Sequence, residues 1–77
     1  MEAILTKFLD PAHTGGAPRT YATCESGSTT VSWDYSIGTE DNHRTAACKL
    51  VATLGWKPKD IHTGSLKDGS YVHVLEF

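Results

Sequence analysis

Four histidines, His13, His43, His62 and His73, and two cysteines, Cys24 and Cys48, are the side chains of this chain best suited to hold a metal. Structural zinc sites draw on close ligand pairs. Here no two His and no two Cys stand within five residues of each other, so neither a metal nor a cofactor is expected. His43 invites a second reading, because Asp34 precedes it by nine positions and an Asp-His pair can orient a general base. The plainer alternative is that Asn42 or His43 bonds the turn that leads into a helix, since buried polar groups need partners whether or not they catalyse. No nucleophile elbow occurs, and Ser26, Ser28, Ser32, Ser36, Ser65 and Ser70 are accounted for by turns and exposed strand positions. Gly15-Gly16 lies in a loop before a strand, so it does not open a helix as a phosphate cradle must. The chain is not expected to be an enzyme.

The element that would carry His43 is the clearest in the sequence. Over TEDNHRTAACKLVATLGW, from Thr39 to Trp56, the residues His43, Ala46, Ala47, Leu50, Val51 and Leu54 recur at three- and four-residue steps, while Arg44, Thr45, Lys49 and Thr53 face away. Thr39 is placed to cap the first free amides, Glu40 and Asp41 put negative charge at the positive end of the helix dipole, and Gly55 ends the helix.

Strands surround it. Residues 3 to 9, AILTKFL, form a first strand that stops at Asp10-Pro11. His13 to Pro18, HTGGAP, is a loop. Arg19 to Glu25, the turn Ser26-Gly27-Ser28 and Thr29 to Tyr35 read as a hairpin. Within it Val31, Trp33 and Tyr35 alternate with Ser32 and Asp34, so the Trp33 side should meet the helix. Ile61 to Leu66, the turn Lys67-Asp68-Gly69 and Tyr71 to Phe77 complete the order β-β-β-α-β-β. The expectation for residues 1–77 is one α+β domain in which a small antiparallel sheet packs on one amphipathic helix. Its proposed core is Ala47, Leu50 and Leu54 with Val31 and Trp33.

One helix covers one side of such a sheet. Strand one carries Ile4 and Phe8 opposite Leu5 and Leu9, and the last strand carries Val72 and Val74 opposite Tyr71, His73, Leu75 and Phe77. Apolar groups therefore occupy both sides, and an uncovered apolar face marks association. The expected partner contacts are Tyr71, His73 and Phe77 on the uncovered face, with Glu40 and Asp41 as an acidic rim. Shielding of that face by the loop from Thr14 to Pro18 is the competing arrangement.

Composition narrows the classes. The chain has 77 residues, 39% apolar and 21% charged, which suits one folded domain near the lower size limit for a self-sufficient core. Seven Lys plus Arg against nine Asp plus Glu give a net charge of -2 and no general attraction to nucleic acid. The opening MEAILTKFLD reads as neither signal peptide nor membrane span. Cys24 and Cys48 are expected to be free thiols in a reducing cytoplasm.

Thr6-Lys7-Phe8-Leu9, the loop PAHTGG from Pro11 to Gly16, Trp33-Asp34-Tyr35, Asn42-His43, Ala46-Ala47, Leu54-Gly55-Trp56 and Gly69 with Tyr71-Val72 span most of the chain. As a set they resemble a family of small uncharacterised proteins of tailed bacteriophages and prophages. That family often has a basic residue where this chain has Gly15, so an anion contact by the loop does not carry over. The resemblance implies a phage product in the cytoplasm of an infected bacterium that binds a host or host-defence protein, inhibition of CRISPR interference being one version. Self-association as a homodimer is a further expectation. The order of three strands then a helix also resembles the latter part of a double-stranded RNA-binding domain, with Ala46-Ala47 in its second helix. Such a module needs cations at the helix start, where this chain has Glu40 and Asp41.

Overall fold

A computed structural model describes residues 2–10 and 17–77. The expectations for the PAHTGG loop, its His13 and its shielding of the sheet fall largely outside the described residues. Five strands and one helix follow in the order β1 (Glu2–Leu9), β2 (Arg19–Cys24), β3 (Gly27–Ser32), α1 (Thr39–Leu54), β4 (Asp60–Ser65) and β5 (Tyr71–Glu76). The strands form one antiparallel sheet in the spatial order β3-β2-β1-β5-β4. This is the small α+β fold expected from the alternating and helical periodicities.

The order explains the helix. β3 and β4 are the opposite edges of the sheet, so the chain must cross the whole width between them. Five strands at about 4.8 Å spacing span roughly 19 Å, and the 16 residues of α1 at 1.5 Å rise reach about 24 Å. The crossing is thus made by the helix itself, laid over one face against β1, β2, β3 and β5. Ile4, Ala22, Ala46, Ala47, Leu50, Val51 and Leu75 are buried between the layers, with Cys24, Val31, Leu54, Trp56 and Ile61 packed around them. Small Ala46 and Ala47 let the helix approach the sheet, while Leu50 and Ile4 fill the space between.

Boundaries shift from the expected ones for identifiable reasons. The β2–β3 turn is Glu25-Ser26, because Gly27 already pairs with Cys24. β3 ends at Ser32, and the Trp33 amide still donates to the Pro18 carbonyl at 3.0 Å. The N-cap of α1 is Gly38 rather than Thr39, since Asn42 N–H donates to the Gly38 carbonyl at 3.0 Å, and no side chain caps it. At the other end Gly55 sits at φ 75°, with its own N–H donating to Ala52 and that of Trp56 to Val51. That pair of bonds is a Schellman stop.

The larger correction concerns the faces of β5. Pairing places His73 opposite Ile4 and Leu75 opposite Glu2, and both side chains are fully buried beneath α1. Tyr71, His73 and Leu75 therefore line the covered face, not the open one, and Val72 and Val74 look outward. Alternation alone assigned two faces to β5 but could not say which met the helix, because both are apolar. The helix side is settled by His43, whose ring lies 4.4 Å from that of Tyr71. Phe77, beyond β5, is exposed and meets Trp56 edge-on at 6.2 Å.

Candidate functional site

Two buried imidazoles share one hydroxyl at the sheet–helix interface. Thr6 Oγ1 lies 2.7 Å from His43 Nδ1 and 2.9 Å from His73 Nε2, and Thr63 Oγ1 lies 3.0 Å from His73 Nδ1. Thr6, His43 and His73 are at most 1% exposed. The hydroxyl has a single proton, so it can donate to at most one of the two ring nitrogens and must accept from the other, and any ring nitrogen that accepts from it must be unprotonated. Their titration agrees. Burial, with the His43 and Arg44 charges adding to it, pushes His73 down to about 4. His43 is also lowered by burial, against an opposing pull from its bond to Thr6.

Asp34 takes no part in this chain. Its carboxylate accepts from the Ser36 amide at 2.8 Å and the Ser36 hydroxyl at 2.6 Å, which holds it below the usual carboxylate range. An Asp34–His43 pair, the second reading of the sequence, does not form, and His43 pairs with Thr6 instead. Asn42 instead fixes the entry to the helix: its Oδ1 accepts from the Asp34 amide at 2.8 Å, and its Nδ2 donates to the carbonyls of Asp34 and Gly38 at 2.9 and 3.0 Å. The turn-bonding alternative therefore describes Asn42, while His43 is held by the sheet.

Above His43 the surface opens into a cleft of about 310 Å³, lined by Phe8, Trp33, Tyr35, Thr39, His43 and Gly69. Phe8 meets Trp33 edge-on at 4.9 Å, and Trp33 meets His43 edge-on at 6.1 Å. Trp33 thus does reach the first turn of the helix, as its strand alternation suggested, but it packs at the cleft rather than in the central core. Phe8 is 45% exposed and Tyr35 79%. Gly69, at φ 91°, has open space where a Cβ would stand, so it forms a bare wall of the cleft.

The face of the sheet away from α1 carries Ala3, Leu5, Tyr21, Val72 and Val74, of which Ala3 is exposed and the others half-buried. At one end of that face His62 Nε2 lies 3.0 Å from Glu76, with Lys59 3.5 Å from the same carboxylate. The Glu76 hydrogen bond, with the Asp60 charge, raises the titration of His62. Glu40 and Asp41 are exposed in the first turn of α1, in the helix layer rather than around the open face of the sheet, and His73 and most of Tyr71 are turned inward.

The sequence reading missed Thr6 and Thr63. One signal was present: an imidazole on the apolar stripe of a helix demands a partner from the sheet, and Thr6 is the hydroxyl between Ile4 and Phe8 on the same strand face. Among the described residues no group of three or more His, Cys, Asp or Glu is arranged to hold a metal ion. Cys24 and Cys48 are free. No described helix is long and apolar enough to cross a membrane. Comparison with family models, curated proteins and solved structures finds no match to this chain.

Proposed function

We propose that this chain is a small phage-encoded protein that works in the bacterial cytoplasm by binding a host or host-defence protein and modulating or inhibiting it. The observation that carries the reading is the half-covered sheet. Ala3, Leu5, Val72 and Val74 lie side by side on the central strand β1 and its neighbour β5, on the face α1 does not cover, and a contiguous apolar patch of that kind is characteristic of an interaction surface. Central strands are also the stiffest part of a sheet, so the patch is presented on a rigid support. The phage context comes from the resemblance of the motifs between Thr6 and Tyr71. Self-association through the same face belongs to the same reading, since a second copy can cover it.

The test is capture from bacterial extract with the tagged protein, identification by mass spectrometry, and a parallel capture with Leu5→Asp/Val72→Asp. A stoichiometric protein partner held by the wild type and released by the double variant is expected. Capture of nothing, or of the same partner equally by both, contradicts the reading. Circular dichroism of the double variant checks that its fold is retained.

A further inference from the structure

The cleft over His43 ends on a buried side chain that keeps one polar atom unpaired. His43 is 1% exposed and yet lines the cleft. Its Nδ1 is held by Thr6 at 2.7 Å, while its Nε2 has no hydrogen bond to any described residue. Buried ring nitrogens are normally paired. Among the described residues, the buried side-chain atoms that are both unpaired and sealed from solvent are Arg19 Nε and Thr20 Oγ1. Nε2 is therefore unpaired but not sealed, and the cleft is the opening that His43 lines. A ligand in the cleft can supply the missing partner.

The walls around that atom are neutral. Phe8, Trp33 and Tyr35 supply rings, Gly69 a bare stretch and Thr39 a hydroxyl, and no charged side chain among the described residues lines the cleft. An ion would lose its water there without a counter-charge in the wall. The Arg44 charge, which already acts on the histidine pair, opposes a cation further. Phe8 stands edge-on to Trp33 and Trp33 edge-on to His43, a pattern that one more ring can continue. At about 310 Å³ the cleft stands at the lower end of ligand-pocket sizes and suits one ring rather than a cofactor. The polar group on that ring must match Nε2. A neutral imidazole has one N–H, so Nε2 carries the proton when Thr6 donates to Nδ1 and is bare when Thr6 accepts from it. A hydroxyl serves either state, because it both donates and accepts. From the unpaired Nε2 and the neutral aromatic wall, we infer that the cleft binds a phenol, with its ring among Phe8, Trp33 and Tyr35 and its hydroxyl on His43. This site lies on the helix side of the sheet and does not depend on the protein-binding reading of the open face.

Nitrogen-15 NMR reads the wall and the histidine together. The labelled protein is titrated with p-cresol, with toluene, which keeps the ring and lacks the hydroxyl, and with a short peptide carrying one tyrosine. p-Cresol should give saturable shifts at the amides of Phe8, Tyr35 and Gly69 and move the His43 Nε2 resonance. Toluene should bind about fivefold more weakly and leave that resonance in place. Tyr35→Ala should weaken p-cresol binding about threefold, and since Tyr35 is mostly exposed its replacement leaves the fold intact. Tighter binding of the tyrosine peptide than of p-cresol identifies the phenol as a partner's side chain, and the reverse order identifies a free small molecule. Both orders uphold the inference. Equal affinity for p-cresol and toluene, an unmoved His43 Nε2 at saturation, or no cleft shifts at millimolar p-cresol would overturn it.

Discussion

At the scale of single residues, the side chain on which most depends is Thr6. Its hydroxyl is shared by His43 and His73, so Thr6→Val leaves two buried ring nitrogens without their partner. Orphaning a buried polar group costs about 1–3 kcal/mol, and each kilocalorie shifts the melting temperature of a domain this size by about 4–8 °C. Thermal unfolding should show Thr6→Val clearly destabilised and Thr6→Ser, which keeps the hydroxyl, much less so. Equal melting of wild type and Thr6→Val would mean that the shared bond contributes nothing. The same pair sets an acid limit. His73 titrates near 4 when folded and near 6.5 when unfolded. The folded state therefore refuses a proton that the unfolded chain accepts, and stability complete above pH 6.5 is lost as pH falls toward 4. The difference of about 2.5 units corresponds to on the order of 3 kcal/mol. Urea unfolding midpoints measured from pH 7 to 4 should fall accordingly, and the slope should lessen in His73→Gln.

At the scale of elements, the strongest local device is the stop at Gly55. With φ at 75°, Gly55→Ala places a Cβ in the left-handed region and should cost about 1 kcal/mol, read as a lowered melting temperature without change in helix content. Asn42→Ala should cost more, because the side chain bonds the backbone of Asp34 and Gly38 on both its oxygen and nitrogen sides. These two ends differ in how readable they were. Gly55 and the stripe from His43 to Leu54 are local signals, and both placed the helix correctly. The entry involves atoms eight residues apart: Asn42 fixes it through the backbone of Asp34, while Thr39, whose type pointed to a cap, is already the first helical residue and Gly38 stands at the cap without a side-chain bond. The order of elements followed from alternation and turns. The facing of β5 did not, since Val72 and Val74 are as apolar as Tyr71 and Leu75, and only pairing with β1 decides which pair lies beneath the helix. For the site, the aromatic residues and the helix histidine were visible in the sequence. Their convergence with Thr6 and Gly69 was not, because these come from distant strands and turns.

At the scale of the whole molecule, the described residues form a single sheet layer with one helix as its cover. β1 is the central strand, buried by α1 on one side through Ile4 and Thr6 and presenting Leu5 on the other. If that outward face binds a second copy, light scattering should report a mass that falls with dilution and with Leu5→Asp, at unchanged far-ultraviolet circular dichroism. The most direct measurement of the account is carbene footprinting of the dilute protein with residue-level mass spectrometry, alone and with its captured partner. Leu5, Val72 and Val74, half-buried in the free protein, should label well above Ile4, Leu50 and Leu75 there and become protected in the complex, while those three stay unlabelled in both. Labelling of Leu5 and Val72 as low as that of Ile4 in the free monomer would contradict it, because the face would then be covered by the chain itself.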